Sequence, residues 1–375
     1  MSRDHRGVRT VAFVLLGAVA LMVVLAACTG GPASRPVPTP PAPEPTPVPQ
    51  PVSLPADEAA HDDALEWWYY NGHLEAENGQ AYGFHFVIFQ SIHDGDVTYA
   101  AQFAVADPAT DRHVQNARFG VGGQPPGQGL LDLELGDWSL AISDGEHSFN
   151  ARGDDGTSLD LSLSPTTPAM LHNGIGWMGG EFGWTYYYSW PRMDVVGTLS
   201  LGDGETLSVG GEAWFDHQWG DFFVVGHPAG WQWFALQLDD GSSIMITEAR
   251  GLDGAVAELY GTFMNPSGQS RHLGRDDDGI ILETLDTWVS PETGGEYPSG
   301  WRLRVQSIDL DLEMQSVIKD QEVTEGVIAP AIYWEGKVAI EGAHAGEAVG
   351  GRGYVELTGY APPPPVEWRT DDGVQ

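Results

Sequence analysis

Cysteine is almost missing: Cys28 is the only one in 375 residues. With a single thiol no intramolecular disulfide can form, and no cysteine pair exists to hold zinc. Lysine is nearly as scarce, with Lys319 and Lys337 alone, and 17 basic residues face 53 acidic ones for a formal charge of −36. Nucleic acid needs Lys and Arg to neutralise its phosphates, so it is excluded as a partner; the same charge favours solubility and repels anions. Acidic runs such as Asp276-Asp277-Asp278 lack EF-hand spacing and read as solvated turns. Neither a Gly-x-Ser-x-Gly elbow nor a His-Glu-x-x-His pair is present, which removes the α/β-hydrolase nucleophile and the zincin site. Gly174-Ile175-Gly176-Trp177-Met178-Gly179 has dinucleotide-type glycine spacing without a following helix. It reads as a Gly-rich loop, with Asn173-Gly174 and Gly179-Gly180 as hinges of a lid. No metal and no cofactor are expected.

Arg3, Arg6 and Arg9 precede an uncharged apolar run from Val11 to Ala27, short for a membrane span. The expectation is an export signal over 1–27 that ends in Leu25-Ala26-Ala27-Cys28, which looks like a bacterial lipobox. Acylation of Cys28 accounts for its presence and its solitude, and places the protein on the outer face of a bacterial membrane, in the periplasm or at the cell surface. A Pro-rich linker follows over 28–60, with eleven prolines between Pro32 and Pro55. At ~3.1 Å per residue in polyproline II it forms a semi-rigid stalk of roughly 70 Å.

Between 61 and 361 the sequence predicts an all-β protein, with a flexible tail over 362–375. No amphipathic helix longer than two turns is evident. Strand candidates cover Val97–Ala106, Leu130–Leu135, Trp138–Ile142, Ser158–Leu163, Gly183–Trp190, Met193–Leu201 and Thr206–Phe215. Asn78-Gly79, Asp144-Gly145, Asp155-Gly156 and Asp203-Gly204 punctuate them as turn signals. From Trp301 to Glu325 the alternation slips phase near Gln306-Ser307, which suggests a bulge. Aligning Leu74 with Leu238 places Trp67, Tyr69 and Tyr70 over Trp231, Trp233 and Phe234. This fits two related β domains, expected at 61–224 and 225–361.

The densest chemistry lies in Ala213-Trp214-Phe215-Asp216-His217-Gln218-Trp219-Gly220-Asp221-Phe222-Phe223. An Asp-His pair among aromatics needs a partner or a task, because an unpaired buried polar group costs roughly 1–3 kcal/mol. The surroundings raise the pKa of Asp216, as a proton donor near neutral pH requires. A structural reading also stands: Asp216 as an ionised partner of Arg192. Further polar groups sit on aromatic strands. Glu66, Trp68 and Tyr70 share one face of their strand, His73 lies on the other, and His85 and Gln90 follow in the next run.

The stretch from Ala213 to Gly220 resembles the signature of the carotenoid 1,2-hydratase (hydroxyneurosporene synthase) and AttH-like family. Glu66-Trp67-Trp68-Tyr69-Tyr70-Asn71-Gly72-His73-Leu74, Gly83-Phe84-His85-Phe86-Val87-Ile88-Phe89-Gln90 and Tyr186-Tyr187-Tyr188-Ser189-Trp190-Pro191-Arg192-Met193 support the match in family order, over roughly residues 60–360. The resemblance implies two lipocalin-like antiparallel barrels side by side. In the hydratase branch it implies acid-catalysed addition of water to an isolated isoprenoid double bond. Asp216 matches the acid, Trp214 an aromatic beside it and Trp190 a pocket tryptophan; Tyr188 stands where the hydratases are expected to carry a His. The catalytic candidates are therefore Asp216, Tyr188 and His217. The substrate-binding candidates are Glu66, Trp68, Tyr70, His73, His85, Gln90, Trp190 and Trp214. Three functional readings follow: an apolar-ligand protein that hydrates or hydrolyses its ligand, a non-catalytic carrier or accessory lipoprotein of an ABC-type exporter, and a sugar-binding surface drawing on the 14 Trp.

Overall fold

The computed structural model describes residues 48–122, 130–180, 183–202, 204–222, 229–324 and 332–362. The signal over 1–27, Cys28, most of the linker and the tail beyond 362 lie outside the described residues.

Turn chemistry divides the chain into short strands. Asn78-Gly79 closes the first hairpin with Gly79 at φ 81°, and Asp94-Gly95 and Asp144-Gly145 form tight turns with both residues at positive φ. The first sheet contains β1 (Leu65–Ala76), β2 (Ala81–His93), β3 (Asp96–Asp107), β4 (Arg112–Val121), β5 (Leu131–Leu135), β6 (Trp138–Ser143), β7 (Glu146–Arg152), β8 (Thr157–Pro165), β9 (Met170–Leu171), β10 (Trp177–Gly180), β11 (Gly183–Leu201) and β12 (Leu207–Phe222). Its order is β4-β3-β2-β1-β12-β11-β8-β7-β6-β5, with β9 and β10 added along β11. The two ends meet, Gly120 of β4 lying against the side chain of Leu135 in β5, so the sheet curls into a nearly closed barrel.

The second sheet contains β13 (Gly230–Leu238), β14 (Ser243–Arg250), β15 (Val256–Met264), β16 (Ser270–Gly274), β17 (Ile280–Val289), β18 (Glu296–Val305), β19 (Leu310–Ser316), β20 (Glu322–Val323), β21 (Tyr333–His344) and β22 (Glu347–Thr358). Its order, β16-β15-β14-β13-β22-β21-β19-β18-β17, repeats the plan of the first. β1 and β13, the strands aligned through Leu74 and Leu238, hold the same place: each pairs with the next strand in sequence and with the last strand of its sheet.

Two details differ from the sequence reading. The phase slip near Gln306-Ser307 is a hairpin turn, not a bulge: Gln306–Ile308 form one 3-10 turn, and Asp309 takes the left-handed conformation that reverses the chain into β19. The candidates Gly183–Trp190 and Met193–Leu201 are one strand. Its register slips between Trp190 and Met193, around Pro191, which has no N–H for the ladder.

Side-chain alternation builds three apolar clusters. Trp68, Tyr70, Phe84, Phe86, Phe149 and Phe215 fill the first barrel, and Phe234, Leu303, Leu312, Trp301 and Trp334 fill the second. Tyr69, Val87, Tyr187, Trp214, Trp233 and Met245 form the third, between the barrels. Each fully buried aromatic contributes about 1.5–3 kcal/mol, so the joint between barrels is itself a core. Arg192 straps it polarly. Its guanidinium reaches Glu212 at 3.0 and 3.1 Å and donates to the carbonyls of Leu238 at 2.7 Å and Ser242 at 3.0 Å.

Candidate functional site

β1, β2, β11 and β12 each show one face to the first barrel's interior and the other to the second barrel. Because side chains alternate, the sequence-predicted residues fall into two groups. Trp214, Asp216, His73 and His85 face the joint, whereas Glu66, Trp68, Tyr70, Gln90, Tyr188, Trp190 and His217 face the barrel interior. Asp216 and His217, adjacent in sequence, therefore serve different centres.

At the joint, Asp216 is 3% exposed. One carboxylate oxygen accepts the Tyr187 hydroxyl at 2.5 Å; the other accepts the Ser189 hydroxyl at 2.5 Å and the Trp214 indole N–H at 2.6 Å. Burial raises its pKa to about 7 against these three donors. Trp233 of the second barrel donates its indole N–H to the Tyr187 oxygen at 3.0 Å. His172 joins Ser189 at 2.8 Å and Thr262 of β15 at 2.9 Å. Arg192 is occupied with Glu212, so no ion pair with Asp216 forms. Trp67, Phe89, Met178, Trp231 and Tyr260, all partly exposed, ring this cluster as an apolar rim. Met178 belongs to the Gly-rich segment, which runs through Gly174 and Gly176, both at positive φ, into β10 against β11.

Inside the first barrel, Glu66 lies between two imidazoles: one oxygen meets His61 Nδ1 and His217 Nε2, each at 2.7 Å. The other accepts the His61 backbone N–H at 2.8 Å and the Gln90 amide at 3.0 Å. Burial pushes Glu66 up, but the bonds from His217 and His61 outweigh it and hold the carboxyl below its usual range. Burial lowers His61, yet Asp57 and Glu66 overcome it and raise the ring to about 9, so His61 is the cation of the pair. Trp68 stacks on His217 and Trp219 on His61. These three ligand-type atoms can hold a metal ion. Their 2.7 Å contacts are tighter, however, than the ~3.3 Å between ligands of a tetrahedral ion bound at ~2.0 Å, and they fit shared protons better. Nearby, Glu58 Oε2, Trp68 Nε1, His147 Nε2, Tyr188 Oη and His217 Nδ1 are buried with no hydrogen-bond partner among the described residues. Burial raises Glu58 to about 7, with the Trp190 indole beside it offsetting part of the shift. A surface depression of about 390 Å³ at Arg302, Asp311, Glu313 and Glu341 touches neither centre.

Sequence reasoning passed over His61, His147, Ser189, His172, Trp233, Glu335 and Glu356. The last two are direct neighbours across β21 and β22, and both face the joint. Tyr69 of the first barrel donates its hydroxyl to Glu335, and Trp231 donates its indole N–H to Glu356 at 2.8 Å.

The fold and the buried acid between its halves define a two-barrel, lipocalin-like protein. The AttH-like family model matches residues 45–360, and the chain belongs to that family. Its structure is similar to an AttH crystal structure from Nitrosomonas europaea, with 28% identity, 83% of this chain and 98% of that chain covered, and a TM-score of 0.74. Kievitone hydratase from Nectria haematococca shares the fold at 21% identity, covering 82% of this chain and 93% of that one, with a TM-score of 0.66. No curated protein sequence matches the chain.

Proposed function

We propose that the protein binds an apolar, isoprenoid-like small molecule at the joint between its barrels and hydrates it, with Asp216 as the acid. One observation carries this reading: a carboxyl buried among aromatics, raised to about 7, under a rim of partly exposed Trp, Phe, Met and Tyr. A carboxyl in that state holds its proton near neutrality and can give it to an alkene carbon. The faces of Trp214, Trp233 and Tyr69 are the groups able to stabilise the cation that forms. That kievitone hydratase shares the fold is consistent with water addition. The full reading adds export and anchoring through acylated Cys28, with the linker as stalk.

A second reading, a non-catalytic carrier that serves an ABC-type exporter, draws on the unpartnered polar atoms inside the first barrel, which suit a held ligand. Incubation with farnesene in ¹⁸O-labelled water separates the two. The hydratase reading expects labelled alcohol from the parent and none from Asp216→Asn. Binding with no labelled product in either protein leaves the carrier.

A further inference from the structure

The two barrels carry a row of residues at equivalent strand positions across their facing sheets. In the first it runs Gln102, Val87, Tyr69, Asp216, Ser189, each the direct cross-strand neighbour of the next. In the second the equivalent strands give Tyr260, Thr247, Trp233, Glu356, Glu335. Tyr69 and Trp233 are the pair already matched by the Leu74–Leu238 alignment, so Glu356 stands where Asp216 stands and Glu335 where Ser189 stands. The contacts between the halves follow the same logic. Tyr69 of the first row bonds to Glu335 of the second, and Trp233 of the second bonds to Tyr187, two residues before Ser189 of the first. Tyr187 and Tyr333 occupy corresponding positions, two residues before Ser189 and Glu335. Tyr333 returns the crossing by donating to Gln102 at 2.9 Å.

The second row thus has two carboxyls where the first has one. Burial and the neighbouring Glu356 push Glu335 well above its usual range, and burial raises Glu356 to about 7. Like charges side by side cannot both ionise, so the pair keeps at least one proton near neutrality. His85 supplies an independent sign of a missing partner. Its ring is fully buried, Nδ1 lies 3.4 Å from Glu335 Oε1, and neither nitrogen has a hydrogen-bond partner among the described residues. Burial keeps that imidazole neutral, with one nitrogen a donor and the other an acceptor. Leaving such a group unsatisfied costs about 1–3 kcal/mol, which a bound oxygen recovers.

We propose that Glu335, Glu356 and His85 form a second centre at the joint that binds an alcohol or phenol hydroxyl on the apolar ligand. A hydroxyl both donates and accepts, as do a carboxyl that keeps its proton and the neutral imidazole beside it. A carboxylate ligand is disfavoured because Arg192 and Arg352, the arginines near the joint, are both paired with Glu212, and a hydrocarbon leaves His85 unpaired. The proposal rests on the apolar-ligand reading and adds the ligand's class: an isoprenoid or similar apolar molecule that carries a hydroxyl.

Farnesol and farnesene, one with a hydroxyl and one without, test this when titrated into the full chain and followed by tryptophan emission. The parent is expected to bind farnesol on the order of tenfold tighter than farnesene, the value of one satisfied hydrogen bond. Glu335→Gln, Glu356→Gln and His85→Phe are each expected to cut that preference severalfold, read as the ratio of the two affinities within each variant. A parent that binds both probes equally overturns the proposal without recourse to any variant. So does a preference that survives all three substitutions. A parent that binds neither probe overturns the apolar-ligand reading, and this inference falls with it.

Discussion

Replacement of Asp216 by Asn separates a proton donor from a structural anion, and the pH dependence of stability makes the separation quantitative. The folded-state pKa is raised from 3.8 to about 7, mainly by burial. A carboxyl shifted in this direction favours the fold while it is protonated. Its contribution is fully present below the unfolded pKa and is lost as pH rises through the folded one. Between about pH 5 and pH 8 the parent loses on the order of 3 kcal/mol from this one group, and the asparagine variant has no such group to lose. The substitution has its own cost. The new amide oxygen can still accept from Ser189 and Trp214, but the amide nitrogen faces Tyr187 and cannot accept its hydroxyl proton. One hydrogen bond is therefore compromised, at about 1 kcal/mol. Asp216→Asn is thus expected to be slightly less stable than the parent near pH ~4 and more stable by on the order of 3 kcal/mol near pH ~8, with the two curves crossing near pH ~4.5. Denaturant unfolding of both proteins across this range measures it, and the difference between them cancels the contribution of Glu58, while Glu356, which Asp216 itself helps to raise, cancels only in part. Parallel curves, with the variant the less stable at every pH, refute the reasoning and make Asp216 an ionised structural anchor.

Glu66→Gln breaks the buried pair with His61 and is expected to cost about 3–5 kcal/mol at neutral pH, read as a lowered denaturant midpoint. His61, raised to about 9, gives its stabilisation below its ordinary pKa and loses it as pH rises through 9, so the penalty should shrink in alkaline buffer. Cys28→Ser is expected to move the protein from the membrane to the soluble fraction with its unfolding midpoint unchanged; a variant still on membranes after a high-salt wash would sink the anchor assignment.

Fold class was legible because period-two alternation and Asx-Gly turns are local signals, each set by a few adjacent residues. The joint between the barrels was not legible as a joint. In β12, Asp216 and His217 are equally polar and equally surrounded by aromatics, and only knowledge of what lies on each side of the strand assigns one to the second barrel and the other to the first barrel's interior. Trp233 and Thr262 could not be linked to Tyr187 and His172 for the same reason: their contacts span 46 and 90 residues. The Leu74–Leu238 alignment matches Tyr69 to Trp233, but only the strand pairing carries the match on to Asp216 and Glu356, whose separations from those strands differ in sequence.

That correspondence bears on why an acid stands at the joint at all. Two barrels of one plan, packed with the same rows facing, bring the same strand position of each to a shared apolar cluster. A polar residue there is buried twice, by its own sheet and by the opposite one, and its charge is suppressed wherever no cation reaches it. Two cations near the joint are committed elsewhere: Arg192 and Arg352 both pair with Glu212. Carboxyls at these positions therefore keep their protons well above the usual carboxylate range as a consequence of the architecture. The half of the duplication that carries Ser189 in place of a second carboxyl is the one whose acid can give up its proton without a neighbour to reclaim it. That asymmetry supports the proton-donating role proposed for Asp216 and the holding role proposed for Glu335 and Glu356.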